Sequence, residues 1–198
     1  KKQKKKKKKI SLMLRPMMHQ TVTWDRYEES LQMFKKNAEF VKKSEKFEFY
    51  KKLFVRGYPQ VSCKLNNHDN WKKYVKIDNY DDGNTSFNTY KDDCELNIFT
   101  CESTGFFQLV NLNKPAIILF HSFDQDIKDI YKDDFKKLAE VGIIHFNNES
   151  LINHLNNIHQ NIPKWWNSSF LQEKLKPFKD KYASNKNDYK FLIEKLNF

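Results

Sequence analysis

Six consecutive residues, Thr100-Cys101-Glu102-Ser103-Thr104-Gly105, place hydroxyls, a carboxylate and a glycine between an apolar run and a helical pattern. Where a buried strand passes into a helix, the first helical N–H groups have no partner inside the helix and the dipole is positive, so such an end attracts phosphate. Ser103 and Thr104 add side-chain hydroxyls, and Gly105 permits close approach to the backbone. The same residues also suit a purely local purpose, because Ser and Thr are preferred N-caps. Both readings stay open on local sequence alone.

The elements that must position this turn follow from periodicity. Ile10 to Leu14 form an apolar run ended by Arg15-Pro16, which predicts a first strand over 10–15. Leu31, Phe34, Ala38 and Val41, then Phe47, Tyr50 and Phe54, recur at helical steps and predict one long or two consecutive helices over 25–54. A loop or local insertion is expected over 57–70, and a short strand over 75–77. The second half alternates: strand 95–101, helix 103–111, strand 116–120, helix 126–141 stopped by Gly142, strand 143–146. The tail reads as helices over 149–160, 164–182 with an interruption at Pro177, and 188–196.

This alternation predicts an α/β fold: a Rossmann-like parallel sheet with helices on both faces and an all-helical C-terminal tail. In such sheets ligands bind outside the carboxyl ends of the strands, which directs attention to the turns after strand one, the strand ending at Cys101 and the strand ending at Phe120.

Composition limits the function classes. The 198 residues, 39% of them hydrophobic, suit one globular domain rather than two. No apolar run approaches the roughly 18 residues of a membrane helix. Position 1 is Lys and no apolar signal segment follows, so the chain reads as a trimmed or internal piece with no sign of secretion. The net charge is +11, but eight positive charges lie in residues 1–9, leaving +3 for the rest. A lysine block of this kind reads as a solvated disordered tail that binds polyanions without selectivity, so no specific nucleic-acid partner is expected. Cys63, Cys94 and Cys101 are odd in number and lack the spacing of a zinc or redox site, which fits a reducing cytoplasm. His154 and His159 are five apart rather than four, so no metal site is expected.

Several segments together carry a resemblance: Leu14-Arg15-Pro16, Trp24, Lys76-Ile77-Asp78-Asn79, Glu102-Ser103-Thr104-Gly105-Phe106 followed by Asn113-Lys114-Pro115, Gly142-Ile143-Ile144-His145 with Glu149-Ser150, and Trp165-Trp166-Asn167-Ser168. Across residues 10–183 the chain resembles the C-terminal half of a family of bacterial surface-carbohydrate transferases. These are similar to the two-domain GT-B glycosyltransferases and to the polymerising glycerol-phosphate transferases.

The resemblance implies that Ser103, Thr104 and Gly105 hold the pyrophosphate of a nucleotide-activated sugar donor, with Glu102 near the donor's sugar or ribose. It implies a charge-assisted contact from Arg15 to the same phosphates, for which a planar, permanently charged fork is suited. His19 assists the phosphates in one reading and is a plain loop histidine in the other, because Met17-Met18 stand where relatives carry a tighter basic-residue and His-Pro arrangement. His145 either faces the base or ribose or is a satisfied histidine at the core edge. No cofactor beyond the activated donor is implied. The acceptor would be a glycan or a lipid-linked glycan, and its general base would come from an N-terminal domain, leaving no catalytic residue assigned here. The expected organisation is a lysine-rich tail at 1–9, a donor-binding domain at 10–162 and C-terminal helices at 163–198 that return toward the N-terminal domain. Trp165 and Trp166, about 100° apart on a helix, would then split between the core and that partner surface, or both would pack in the core. The implied setting is cytoplasmic, with at most peripheral contact at the inner face of the membrane. A second function class stays open beside this one: a non-catalytic polyanion-binding or interaction module acting through the lysine tail.

Overall fold

The computed structural model describes residues 9–14, 24–57, 68–74 and 79–183. Six strands, β1 (Lys9–Met13), β2 (Leu53–Arg56), β3 (Tyr80–Asp81), β4 (Cys94–Phe99), β5 (Ala116–Leu119) and β6 (Ile144–His145), form one sheet in the order β3-β2-β1-β4-β5-β6. Every neighbouring pair is parallel. Parallel neighbours need crossovers, which helices supply. In chain order these are α1 (Trp24–Ser44), α2 (His68–Tyr74), α3 (Phe87–Tyr90), α4 (Thr104–Asn111), α5 (Phe123–Asp126), α6 (Asp129–Ala139), α7 (Asn148–Ile158), α8 (Ile162–Trp166) and α9 (Ser169–Tyr182).

Both faces of the sheet are covered, as is usual for a parallel sheet, and the face opposite the first core also carries the buried polar residues Ser11 of β1, Arg56 of β2 and Asn97 of β4. Strand alternation sends Leu96 and Ile98 of β4 and Ile117 and Leu119 of β5 into a core beneath α1 and α7, where Phe34, Phe40, Leu151 and Leu155 meet them. The intervening Phe99 and Ile118, with Ile144 of β6, enter a second core built by Phe106 of α4, Phe135 of α6 and Leu175 and Phe178 of α9. The fold is thus the expected α/β Rossmann-like arrangement, with helices on both faces and a helical C-terminal part. Its strand order reverses at β1: the chain moves outward through β2 and β3, then returns to the other side of β1 as β4. The crevice between the carboxyl ends of β1 and β4 is therefore the topological switch point.

The structure corrects several element boundaries. The helix expected over 25–54 ends at Ser44; Phe47 precedes a 3₁₀ turn at Glu48–Lys52 that contains Tyr50, and Phe54 belongs to β2. Steps of three satisfy a 3₁₀ turn as well as an α-helix. Leu53 and Val55 are then drawn into the sheet beside β1, where both are almost wholly buried. The helix expected over 126–141 is α6, which starts later at Asp129, and a separate helical turn, α5, precedes it. α9 runs through Pro177 without interruption, because Leu175 and Phe178 are locked in the core on either side. The break lies instead between Trp166 and Ser169. The strand expected over 75–77 and the helix over 188–196 fall outside the described residues.

Gly142 stops α6 as expected, with φ +77°. A Cβ there would overlap the His154 ring, so the turn requires glycine for its backbone and for the imidazole packed on it.

Candidate functional site

β1 and β4 stay paired to their last residues and part just beyond. The Thr100 N–H and hydroxyl both donate to Met13 O at 3.3 Å, while the Leu14 N–H turns to the opposite neighbour and donates to Arg56 O at 3.0 Å. The switch-point crevice opens between these two chain segments, and α4 starts at its lip. Ser103, in extended backbone, accepts from the Phe106 N–H through Oγ at 3.3 Å and is the N-cap of α4. A capping hydroxyl accepts through a lone pair and keeps its own O–H for donation, so the capping role and a ligand role coexist at Ser103. Thr104 and Glu102 are exposed and Gly105 is half-buried. A helix of eight residues here presents its positive end, with the Thr104 and Gly105 N–H groups lacking intrahelical partners.

Gly105 has a packing reason of its own. A Cβ would stand 3.0 Å from the Phe99 ring and 3.3 Å from the Phe87 ring, so the first turn of α4 presses on β4 and α3. Arg15 and His19 lie outside the described residues; Leu14 is the residue that precedes them.

His145, at the end of β6, is 4% exposed and uses both ring nitrogens. Nε2 donates to Gly142 O at 3.0 Å, which leaves Nδ1 to accept from the Ser150 hydroxyl at 2.8 Å. Burial first, and the neighbouring His154 second, push its pKa down to about 4. The structure therefore places His145 in the core-edge arrangement, where it ties the end of β6 to α7. It does not bring His145 together with Ser103 and Thr104.

The tryptophan pair is anchored to the body of the fold. Trp166 is 1% exposed and its Nε1 donates to Asn113 O at 3.1 Å; half-buried Trp165 donates to Val141 O at 3.0 Å. Asn113 holds φ 53° just beyond α4, a left-handed position that Asn tolerates. The Asn-Lys-Pro and Trp-Trp segments thus meet each other, and Trp165 also stacks edge-on with His154 at 4.9 Å.

Sequence reasoning passed over His121 and Asn37. His121 follows the apolar run of β5 at the carboxyl edge of the sheet, and its Nε2 lies 2.9 Å from Oδ1 of Asn37 on α1. The Lys36 ammonium donates to His121 O at 3.3 Å, and Asn148 of α7 donates to Lys36 O at 3.0 Å. Burial, then Lys36, push the His121 pKa down to about 4. The available signal was a histidine directly after a buried strand. Among the described residues, no three His, Cys, Asp or Glu side chains gather as a cation site, and no helix is long and apolar enough to cross a membrane.

A family model described as LIC12162 family transferase matches residues 1–196 of the chain. No curated protein and no solved structure matches it.

Proposed function

The chain belongs to the LIC12162 family of transferases, and from that premise we propose that it is the donor-binding domain of a nucleotide-sugar or nucleotide-activated polyol phosphate transferase of the GT-B kind. The observation that carries this reading is the strand order, which puts the Glu102 to Gly105 turn and the positive end of α4 at the switch point between β1 and β4. The N–H groups of Thr104 and Gly105, with the Ser103 and Thr104 hydroxyls, bind the donor's diphosphate. Glu102 reaches its sugar or ribose, and Arg15 adds a charge-assisted contact from beyond β1.

Donors held in place before reaction stabilise the negative charge that develops on the leaving diphosphate, without reorganisation during the reaction. In this reading the acceptor, a glycan or lipid-linked glycan of a surface polysaccharide, and the base that activates it sit on a second domain across the carboxyl edge. The work is done on the cytoplasmic side of the membrane.

Calorimetric titration with ADP, GDP, CDP and UDP tests the reading, on the chain with and without residues 1–9. One saturable one-site isotherm that survives removal of the lysines supports it. Binding lost with the lysines identifies a tail-driven polyanion module, and a folded chain that binds none of the four refutes the donor site.

A further inference from the structure

We propose that Asn37 is a positioning residue for the donor site: it fixes the His121 imidazole so that Nδ1 accepts a hydrogen bond from a hydroxyl of the transferred group. The inference rests on the donor-site reading above and names a second contact within it.

Asn37 sits in the middle of α1 at 0% exposure, among Phe34, Ala38 and Val41 of the first core. Burying a carboxamide there is costly unless its hydrogen bonds are met, yet its Nδ2 has no partner among the described residues. An aliphatic side chain of similar volume would serve packing at least as well. What the amide does accomplish among the described residues is the bond from His121 Nε2 to Oδ1 at 2.9 Å. A carbonyl oxygen only accepts, so Nε2 carries the proton and Nδ1 is the lone-pair nitrogen. Burial keeps the ring neutral near pH 7.

The main chain of the same turn is held as firmly. Lys36, the neighbour of Asn37, donates to His121 O, and Asn148 at the start of α7 donates to Lys36 O. α1 thereby braces the turns after β5 and β6 together. β5 lies next to β4, so His121 stands one strand, roughly 5 Å, over from the strand that leads to α4. A neutral lone-pair nitrogen has nothing to offer a phosphate oxygen, which is itself an acceptor. It does match a hydroxyl, and hydroxyls are what a transferred sugar or polyol presents.

The test uses the full chain and the four nucleoside diphosphates alongside the four matching nucleotide-glucose conjugates. For whichever base binds, the ratio of conjugate affinity to diphosphate affinity isolates the transferred group. In His121→Ala and in Asn37→Leu this ratio should fall about three- to tenfold, the range of one net hydrogen bond, while the diphosphate affinity itself holds. Imidazole ¹⁵N spectra should show Nε2 protonated and Nδ1 bare in the parent, and a tautomer mixture at His121 in Asn37→Leu. An unchanged ratio in His121→Ala overturns the proposal, as does an unchanged tautomer in a folded Asn37→Leu. Should no diphosphate bind the parent chain, the donor-site reading fails; diphosphate binding with an unchanged ratio removes only the Asn37 and His121 assignment.

Discussion

Ser103 and Thr104 are adjacent hydroxyls with different surroundings, and that difference separates structure from binding. Ser103 caps α4, so Ser103→Ala should cost about 1 kcal/mol of stability whatever else it does. Thr104 is exposed, and Thr104→Val should leave the melting temperature unchanged while weakening nucleoside diphosphate binding by about 1–3 kcal/mol, the range for a bond to a charged group. Unchanged affinity in Thr104→Val would place the phosphates elsewhere. Arg15→Ala should weaken the same binding, with Arg15→Lys restoring only part of it because an ammonium lacks the bidentate fork. Gly142 offers a test that involves no ligand. Gly142→Ala meets both a left-handed backbone, worth about 1–2 kcal/mol, and the His154 ring. Pairing it with His154→Ala should relieve the second penalty and leave the first, a non-additivity that a urea-unfolding double-mutant cycle would show.

Elements whose signal is local were legible, and those decided by the sheet were not. α4 and β5 lie within a residue of expectation, because a Ser cap, a helical pattern, an Asn-Lys-Pro stop and the Ala116 to Phe120 run mark them independently of their neighbours. β2 was hidden, since Phe47, Tyr50 and Phe54 keep a three- or four-residue step across a 3₁₀ turn and a strand, and only pairing with β1 shows where the helix pattern ends. β3 holds two residues, too few for any period. The site followed the same rule: the β4 to α4 turn announces itself by residue type, whereas Asn37 and His121 are 84 positions apart and only the docking of α1 on β5 joins them. The stop after α4 carries a prediction at this scale. Asn113→Gly should be close to neutral by calorimetric melting, because glycine accepts φ 53° and the Trp166 indole keeps the main-chain oxygen as acceptor. Asn113→Ala should instead cost about 1 kcal/mol or more for the left-handed backbone.

Three imidazoles, His121, His145 and His154, are pushed from 6.5 down to about 4, with burial the largest cause in each. All three belong to the end of the molecule where β5, β6 and α7 meet, so one pH range acts on one region. Their folded pKa lies below the unfolded value, and as pH falls the unfolded chain takes up protons first. Their contribution to stability is therefore complete above about pH 6.5 and is lost progressively between about 6.5 and 4. The carboxylates of Asp92, Asp129 and Glu149 have the other history. Lysine partners Lys114, Lys132 and Lys43 hold them below their ordinary range, so their contribution persists above it and declines only as pH drops through about 4. The two windows hardly overlap, and the exposed carboxylate pairs are screened by salt while the buried rings are not. Urea midpoints should consequently fall from pH 7.5 to pH 5, and the fall should persist in high salt. His154→Phe should remove about one of the three protons from that slope, because its Nε2 is buried with no partner to lose and the edge contact with Trp165 is retained by another ring. A midpoint that stays level down to pH 5, or a fall that salt abolishes, would mean that surface pairs rather than these buried rings set the acid response.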